Sequence, residues 1–151
     1  MRALIQRVDH ASVTVEGELV ARVGSGLLVL VGVGRADTSA DVRALAAKVV
    51  GLRIFPDEQG RFNVSLKDAG GAMLVVSQFT LFADVRRGRR PSFTGAARPD
   101  HAERLVDEFA SAVASEGVDV GCGRFGATME VDLRNNGPFT LMVETVAGRV
   151  V

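Results

Sequence analysis

The sequence contains no tryptophan and no tyrosine, one cysteine and two histidines. The single Cys122 excludes an intrachain disulfide and any cysteine-only metal site, and it fits a reducing compartment. One cysteine with His10 and His101 far apart in the chain makes a poor zinc set, so no metal and no cofactor is expected. Without tryptophan or tyrosine, an extensive base-stacking platform is also unexpected. No run of apolar residues is long enough to cross a bilayer. The longest, Leu27 to Val33, is interrupted by Gly32, and a membrane helix needs about 20 residues. The short apolar stretch after Met1-Arg2 is too brief for a signal peptide, so a cytoplasmic protein with no membrane partner is expected. Net charge is zero, with 18 basic and 18 acidic residues, so any attraction for a polyanion has to be local. Only Lys48 and Lys67 are lysines; the remaining basic residues are arginine.

The chain does have an ordinary globular balance, 47% hydrophobic and 24% charged, over a length of 151 residues that suits one domain. Strand patterns dominate. Ala3 to Val8 and Ser12 to Glu16 alternate, and a turn at Glu16-Gly17-Glu18 leads to a returning strand over Leu19 to Val23. Leu27 to Val31 is continuously apolar, as for a strand covered on both faces. A helix is expected from Ser39 to about Leu52, capped by Thr38 or Ser39, with Val42, Leu45, Ala46 and Val49 on its apolar stripe. Pro56 to Gly60 reads as a turn, and Met73 to Phe82 as one long strand.

A second helix opens at Pro99-Asp100, with Ala102, Leu105, Val106, Phe109 and Val113 on its inner face. Gly121, Gly123 and Gly126 suggest an irregular stretch. Thr128 to Leu133 and Phe139 to Val146 read as two closing strands joined by a turn at Asn135-Asn136-Gly137-Pro138. The order of elements predicts an α+β domain, a layered or barrel-like β-sheet core with two main helices.

The familiar catalytic patterns are missing: no phosphate-binding loop, no dinucleotide fingerprint, no nucleophile elbow, no serine coupled to a histidine. His10 reads as a turn residue, His101 as a surface residue of a first helical turn, Cys122 as a small buried filler, and the glycines at 24, 26, 32 and 34 as turn residues. Three segments stand out. Ser77-Gln78-Phe79-Thr80 places polar groups abruptly at the end of an apolar strand, either as a site or as a sheet surface facing water. Asn135-Asn136-Gly137-Pro138-Phe139 satisfies any tight connection, and its Gly-Pro bond is open to either isomer. Arg86, Arg87, Arg89 and Arg90 crowd a Gly- and Pro-containing loop, as a solvated charge run or as a set of phosphate contacts.

Taken together, in this order and spacing, these segments resemble the D-aminoacyl-tRNA deacylase family, also called D-tyrosyl-tRNA deacylases. The likeness covers the whole chain. It includes Met1-Arg2-Ala3-Leu4-Ile5-Gln6-Arg7-Val8, Ser77-Gln78-Phe79-Thr80-Leu81, Arg90-Pro91-Ser92-Phe93, Phe125-Gly126-Ala127-Thr128-Met129 and Asn136-Gly137-Pro138-Phe139-Thr140. The resemblance implies a homodimer of small α+β subunits with active sites at their interface, cleaving the ester between a D-amino acid, or glycine, and the 3′ end of tRNA. It implies that Ser77, Gln78, Phe79 and Thr80 form the catalytic pocket. It further implies that Gly137 and Pro138 are a Gly-cisPro element that enters the partner's pocket and rejects L-amino acids, with Met129 and Phe139 as further pocket walls.

Arg86, Arg87, Arg89 and Arg90 are the expected tRNA contacts; DNA and cofactors are not expected. No base is visible to activate Thr80, so a water assisted by the substrate's 2′-hydroxyl is preferred over Thr80 as nucleophile. The rival readings are a non-hydrolytic RNA-binding module, a structural dimer, and an editing domain of the kind found in archaeal threonyl-tRNA synthetases.

Overall fold

A computed structural model describes residues 1–151. Strand β1 (Arg2–Val15) is the spine, and the hairpin strand β2 (Glu18–Val23) returns along its second half. The turn between them is Glu16-Gly17, both at positive φ (51° and 79°), the twist a two-residue hairpin needs. Strand β3 (Gly26–Gly32) runs antiparallel to the first half of β1, Arg2 to Val8, so two short strands share one edge of the long one. Helix α1 (Ser39–Gly51) follows, then a separate small hairpin of β4 (Arg53–Pro56) and β5 (Phe62–Ser65), which frames the turn at residues 56–60. Strand β6 (Ala72–Ser77) is parallel to β3. After helix α2 (Pro99–Ser115), β7 (Asp119–Cys122) joins β6, again parallel. The long β8 (Glu130–Val146) covers the other edge of β1, and the short β9 (Arg149–Val150) ends the sheet.

The sheet order is β7-β6-β3-β1-β8-β9, with β2 beside β1. Its curl brings β2 and β7 together: a Cβ added at Gly121 would touch the Ala21 and Val23 side chains at 3.4 and 3.5 Å. The result is a half-barrel with two cores. One lies under the helices, where Ile5, Val29, Val31 and Val75 meet Leu45, Leu105 and Phe109. The other fills the curl, with Val8, Val13, Leu28, Leu74 and Val76. This explains the unbroken apolar run of β3: Leu27, Val29 and Val31 face the helices while Leu28 faces the curl.

Thr38 caps α1 with a reciprocal pair of bonds. Its hydroxyl accepts from Ala40 N–H (3.3 Å), and Asp41 Oδ2 accepts from Thr38 N–H (2.9 Å). Asp41 is 1% exposed, and its other oxygen accepts from Gly148 N–H at 2.9 Å, tying the C-terminal turn to the helix start. Burial alone would raise its pKa. The bonds from Gly148 and Thr38 and the nearby terminal ammonium of Met1 outweigh burial and hold it below the ordinary 3.8. A lowered folded pKa gives stability that is present above about pH 4 and is lost as pH falls through the folded value. Urea unfolding between pH 6 and pH 3 should therefore show an acid loss of stability that is smaller in Asp41→Asn, the remainder coming from other lowered carboxylates such as Asp84; equal slopes for both proteins would contradict it.

Four local expectations are corrected. The apolar pattern from Met73 to Phe82 is not one strand. Strand β6 stops at Ser77, because its partner β3 ends at Gly32 and the last ladder bond runs from Gln78 N–H to Val31 O (2.8 Å). The chain then turns into a 3-10 segment, Phe79–Phe82, and the alternation of faces across residues 77–80 is lost. The two expected closing strands are a single β8, since both halves pair with the same β1; residues 136–139 bulge out where Val8 pairs with Asn135 and Gln6 with Thr140. Likewise the first two strand patterns are one strand, with His10 in its middle and opposite Arg134, not in a turn. Cys122 is exposed on the edge strand β7 and is no core filler.

Candidate active site

A cavity of about 560 Å³ opens at the C-terminal ends of the parallel strands β3 and β6. This is where a parallel sheet leaves a crevice for ligands. Its walls are mostly apolar: Val33 from the end of β3, Pro99, Ala102 and Val106 from the start of α2, and Met129 and Val131 from the segment entering and opening β8. Its polar rim is Ser77 and Gln78, with Phe79 and Phe93 beside them.

The 3-10 segment presents free hydrogen-bonding groups at this rim. The first N–H groups of such a turn, those of Phe79 and Thr80, have no acceptor within it. None of the loop or turn hydrogen bonds takes them either. The Gln78 side-chain amide donates to the Thr80 hydroxyl, which has no carboxylate or imidazole partner. Phe79 is 57% exposed and meets Phe93 edge-to-face, ring centroids 5.0 Å apart. The glycines at 32 and 34 allow close packing here. A Cβ on Gly32 would come within 3.0 Å of Gln78 O, and one on Gly34 within 3.0 Å of the Phe82 ring. Gly123 serves Met129 in the same way, a Cβ there falling 2.7 Å from its sulfur. In the sequence Gly32 and Gly34 read as turn residues and Gly123 as part of an irregular stretch; only the packing shows what they admit.

The arginine loop adjoins the cavity through Phe93. Paired backbone bonds between Asp84 and Ser92 (2.7 and 2.9 Å) close it into a tight loop. Its four arginines are not equivalent. Arg86 grips Asp84 with two side-chain bonds, at 2.9 and 2.7 Å. Those bonds, with the Arg86 backbone N–H, bring the Asp84 carboxyl down to about 2. Arg87, Arg89 and Arg90 have no acidic partner and stand exposed.

Gly137 and Pro138 form the exposed tip of the bulge in β8, and the bond between them is cis. Asn135 braces the bulge, accepting from Phe139 N–H (2.7 Å) and donating to Phe139 O (3.1 Å). Beneath it lies Arg7, only 8% exposed, which donates to Asn136 O (3.0 Å) and Ile54 O (2.6 Å). Its guanidinium lies 5.3 Å from the Phe62 ring centre and 5.1 Å from that of Phe139. The sequence contained a signal for Arg7, a charge in the phase of the core-facing Ala3 and Ile5 on β1. Ser77, Gln78, Phe79 and Met129 thus line one cavity, and Thr80 adjoins it through Gln78. Gly137, Pro138 and Phe139 are not among the residues lining that cavity in the same protomer; Phe139 packs on Phe62 instead.

A family model described as D-Tyr-tRNA(Tyr) deacylase matches residues 4–144 of the chain. The chain belongs to the D-aminoacyl-tRNA deacylase family. Relatives of that name share 57% identity in Chloroflexus aurantiacus, over 99% of this chain and 94% of theirs, and 55% in Roseiflexus castenholzii, over 99% and 95%. A solved structure called c-Myc DNA Unwinding Element Binding Protein superposes with a TM-score of 0.91 at 36% identity, covering 97% of this chain and all of the other. A probable eukaryotic D-amino acid tRNA deacylase superposes at 0.81 with 22% identity over 93% and 97%, and so shares the fold. As a deacylase of this family the chain is a hydrolase that cleaves the ester of D-aminoacyl-tRNA, and the α+β half-barrel with two helices is the fold of such an enzyme.

Proposed function

We propose that the cavity at the ends of β3 and β6 receives the terminal adenosine and ester of a D-aminoacyl- or glycyl-tRNA, in the cytoplasm, as a step of translation quality control. The observation that carries this reading is the pair of unpartnered N–H groups of Phe79 and Thr80 at the rim of an apolar cavity. They suit the oxyanion that forms when water attacks the ester carbonyl, and one such donor contributes about 2.7–4 kcal/mol. Water's oxygen bonds to the carbonyl carbon, the bond to the ribose 3′-oxygen breaks, and that oxygen takes up a proton. The products are a free D-amino acid and tRNA with its 3′-hydroxyl restored. Thr80, held by Gln78, positions the ester or the water, and the neighbouring 2′-hydroxyl assists the proton transfer. DNA, which lacks that hydroxyl, is not a substrate in this scheme. Incubation of the purified protein with D-tyrosyl-tRNA, following loss of the ester, tests the reading directly.

Within the same proposal the enzyme is a homodimer, and Gly137 and Pro138 of the partner subunit complete each pocket. Their exposed position in one protomer supports this role, as does the bracing by Arg7 and Asn135. Chirality is then judged by main chain, which ignores the side chain and serves many D-amino acids.

Arg87, Arg89 and Arg90 neutralise tRNA phosphates. Alanine at any one of them should flatten the slope of log affinity against log salt by about 0.7–0.9 for each phosphate that is no longer neutralised. Arg86→Ala should weaken binding with a smaller change of slope, because it leaves the Asp84 charge unneutralised and removes an arginine that is already occupied. Binding measured between 50 and 200 mM salt, on the scale of these effects, separates the two classes. Four identical slopes would count against the division.

A further inference from the structure

The 3-10 segment that presents the Phe79 and Thr80 N–H groups has no fully buried residue of its own; only Leu81 and Phe82 are half-buried, against the end of β3, and no core side chain anchors its first turn residues. We infer that Arg2 is a positioning residue for it. The Arg2 guanidinium bridges the segment and the sheet. Nη1 donates to Leu81 O at 2.9 Å, Nε pairs with Glu144 Oε1 at 3.1 Å, and the planar group lies 4.6 Å from the centre of the Phe82 ring. Leu81 and Phe82 are the last two residues of the segment whose first two carry the free N–H groups. A cation at the carbonyl end and a ring packed on the adjacent side chain together fix both tilt and rotation of one short turn.

Arg2 is itself held in place. Its backbone pairs in register with Glu144, so the carboxylate that orients it comes from directly across the strand. The preceding residue is anchored twice: the Met1 ammonium lies 2.9 Å from Asp37 Oδ1 and donates to Thr145 O at 2.7 Å. On the far side, Gly32 and Gly34 leave room for the turn and for Phe82 to press against the end of β3. The catalytic amides are thereby clamped between the sheet and a guanidinium from its first residue. This role rests on the oxyanion reading proposed above.

The test uses Arg2→Met, Arg2→Lys and Glu144→Gln in the full chain. Each is measured for kcat and KM on D-tyrosyl-tRNA and for backbone amide exchange in the 77–83 peptide. Arg2→Met should lower kcat about 10- to 100-fold, as expected for a small misplacement of catalytic groups, with KM within about twofold. Exchange in the 77–83 peptide should quicken while that of β1 and β3 is unchanged. Lysine should recover part of kcat, since it donates to Leu81 O without the planar packing on Phe82. Glu144→Gln should show the same pattern more weakly, and it carries the test if Arg2→Met does not fold. Unchanged kcat, a change confined to KM, or a slower enzyme with unchanged exchange in the 77–83 peptide would overturn the inference. A wild-type protein inert toward D-tyrosyl-tRNA would instead overturn the oxyanion reading, and the exchange data would still report on the clamp.

Discussion

Gly137→Ala is expected to reduce the preference for D- over L-tyrosyl-tRNA by about a hundredfold or more, the scale on which a small misplacement at a site acts. A Cβ at residue 137 would stand 2.7 Å from Phe139 N and 3.1 Å from Phe139 Cβ, and the backbone there has φ +151°. The tip of the bulge therefore has to move. The two mirror-image substrates carry the same groups, so apolar contact alone does not tell them apart. A ten-thousandfold preference corresponds to about 5.5 kcal/mol. A clash with main chain achieves this better than a clash with a side chain, which rotates away. Pro138→Ala, which frees φ at the tip, should relax the preference in the same direction. Both variants are measured by ester loss from D- and L-tyrosyl-tRNA side by side. An unchanged ratio in both would remove Gly137 and Pro138 from chiral selection.

The second large effect concerns the substrate. A D-aminoacyl ester on a terminal 2′-deoxyadenosine should be hydrolysed about 10² to 10⁴ times more slowly, the range of a positioned proton-transfer group. Thr80→Ala should cost much less, about tenfold, the loss of one neutral hydrogen-bonding group. The reason lies in the surroundings of Thr80. Its hydroxyl receives a hydrogen bond from Gln78 and meets no base that could take its proton. An aminoacyl ester is already activated, so in the proposed scheme two backbone donors and a neighbouring hydroxyl take the place of a side-chain base. Single-turnover rates with both substrates and both proteins distinguish the schemes. If Thr80→Ala abolished turnover with binding intact and the 2′-deoxy substrate reacted normally, Thr80 would be the nucleophile.

Much of the fold was legible in local pattern. The capped α1, the apolar face of α2 and the double burial of β3 each follow from residues within one element, and the structure shows all three. The strand pattern failed at Phe79 because apolar residues continue past the point where a ladder partner exists. A single sequence does not show where β3 ends relative to β6. It failed again at residues 135–140, where four turn-forming residues make a bulge and not a reversal. Whether the chain reverses there depends on β1 being long enough to pair with both halves of β8.

The amino-acid sequence by itself determined the class of the protein: a neutral α+β chain, with family motifs at the rim strand and at the Gly-Pro tip, and a local arginine cluster. Charge balance, element order and the arginine cluster are properties of composition and period; the motifs are legible through resemblance to the family. Tertiary structure alone decided which groups are free to act. It leaves the Phe79 and Thr80 amides unpaired, spends Arg86 on Asp84, buries Arg7 beneath the bulge, and packs Gly32 and Gly34 against the 3-10 turn. Availability of a hydrogen-bonding or charged group depends on what lies against it, and those neighbours come from distant parts of the chain.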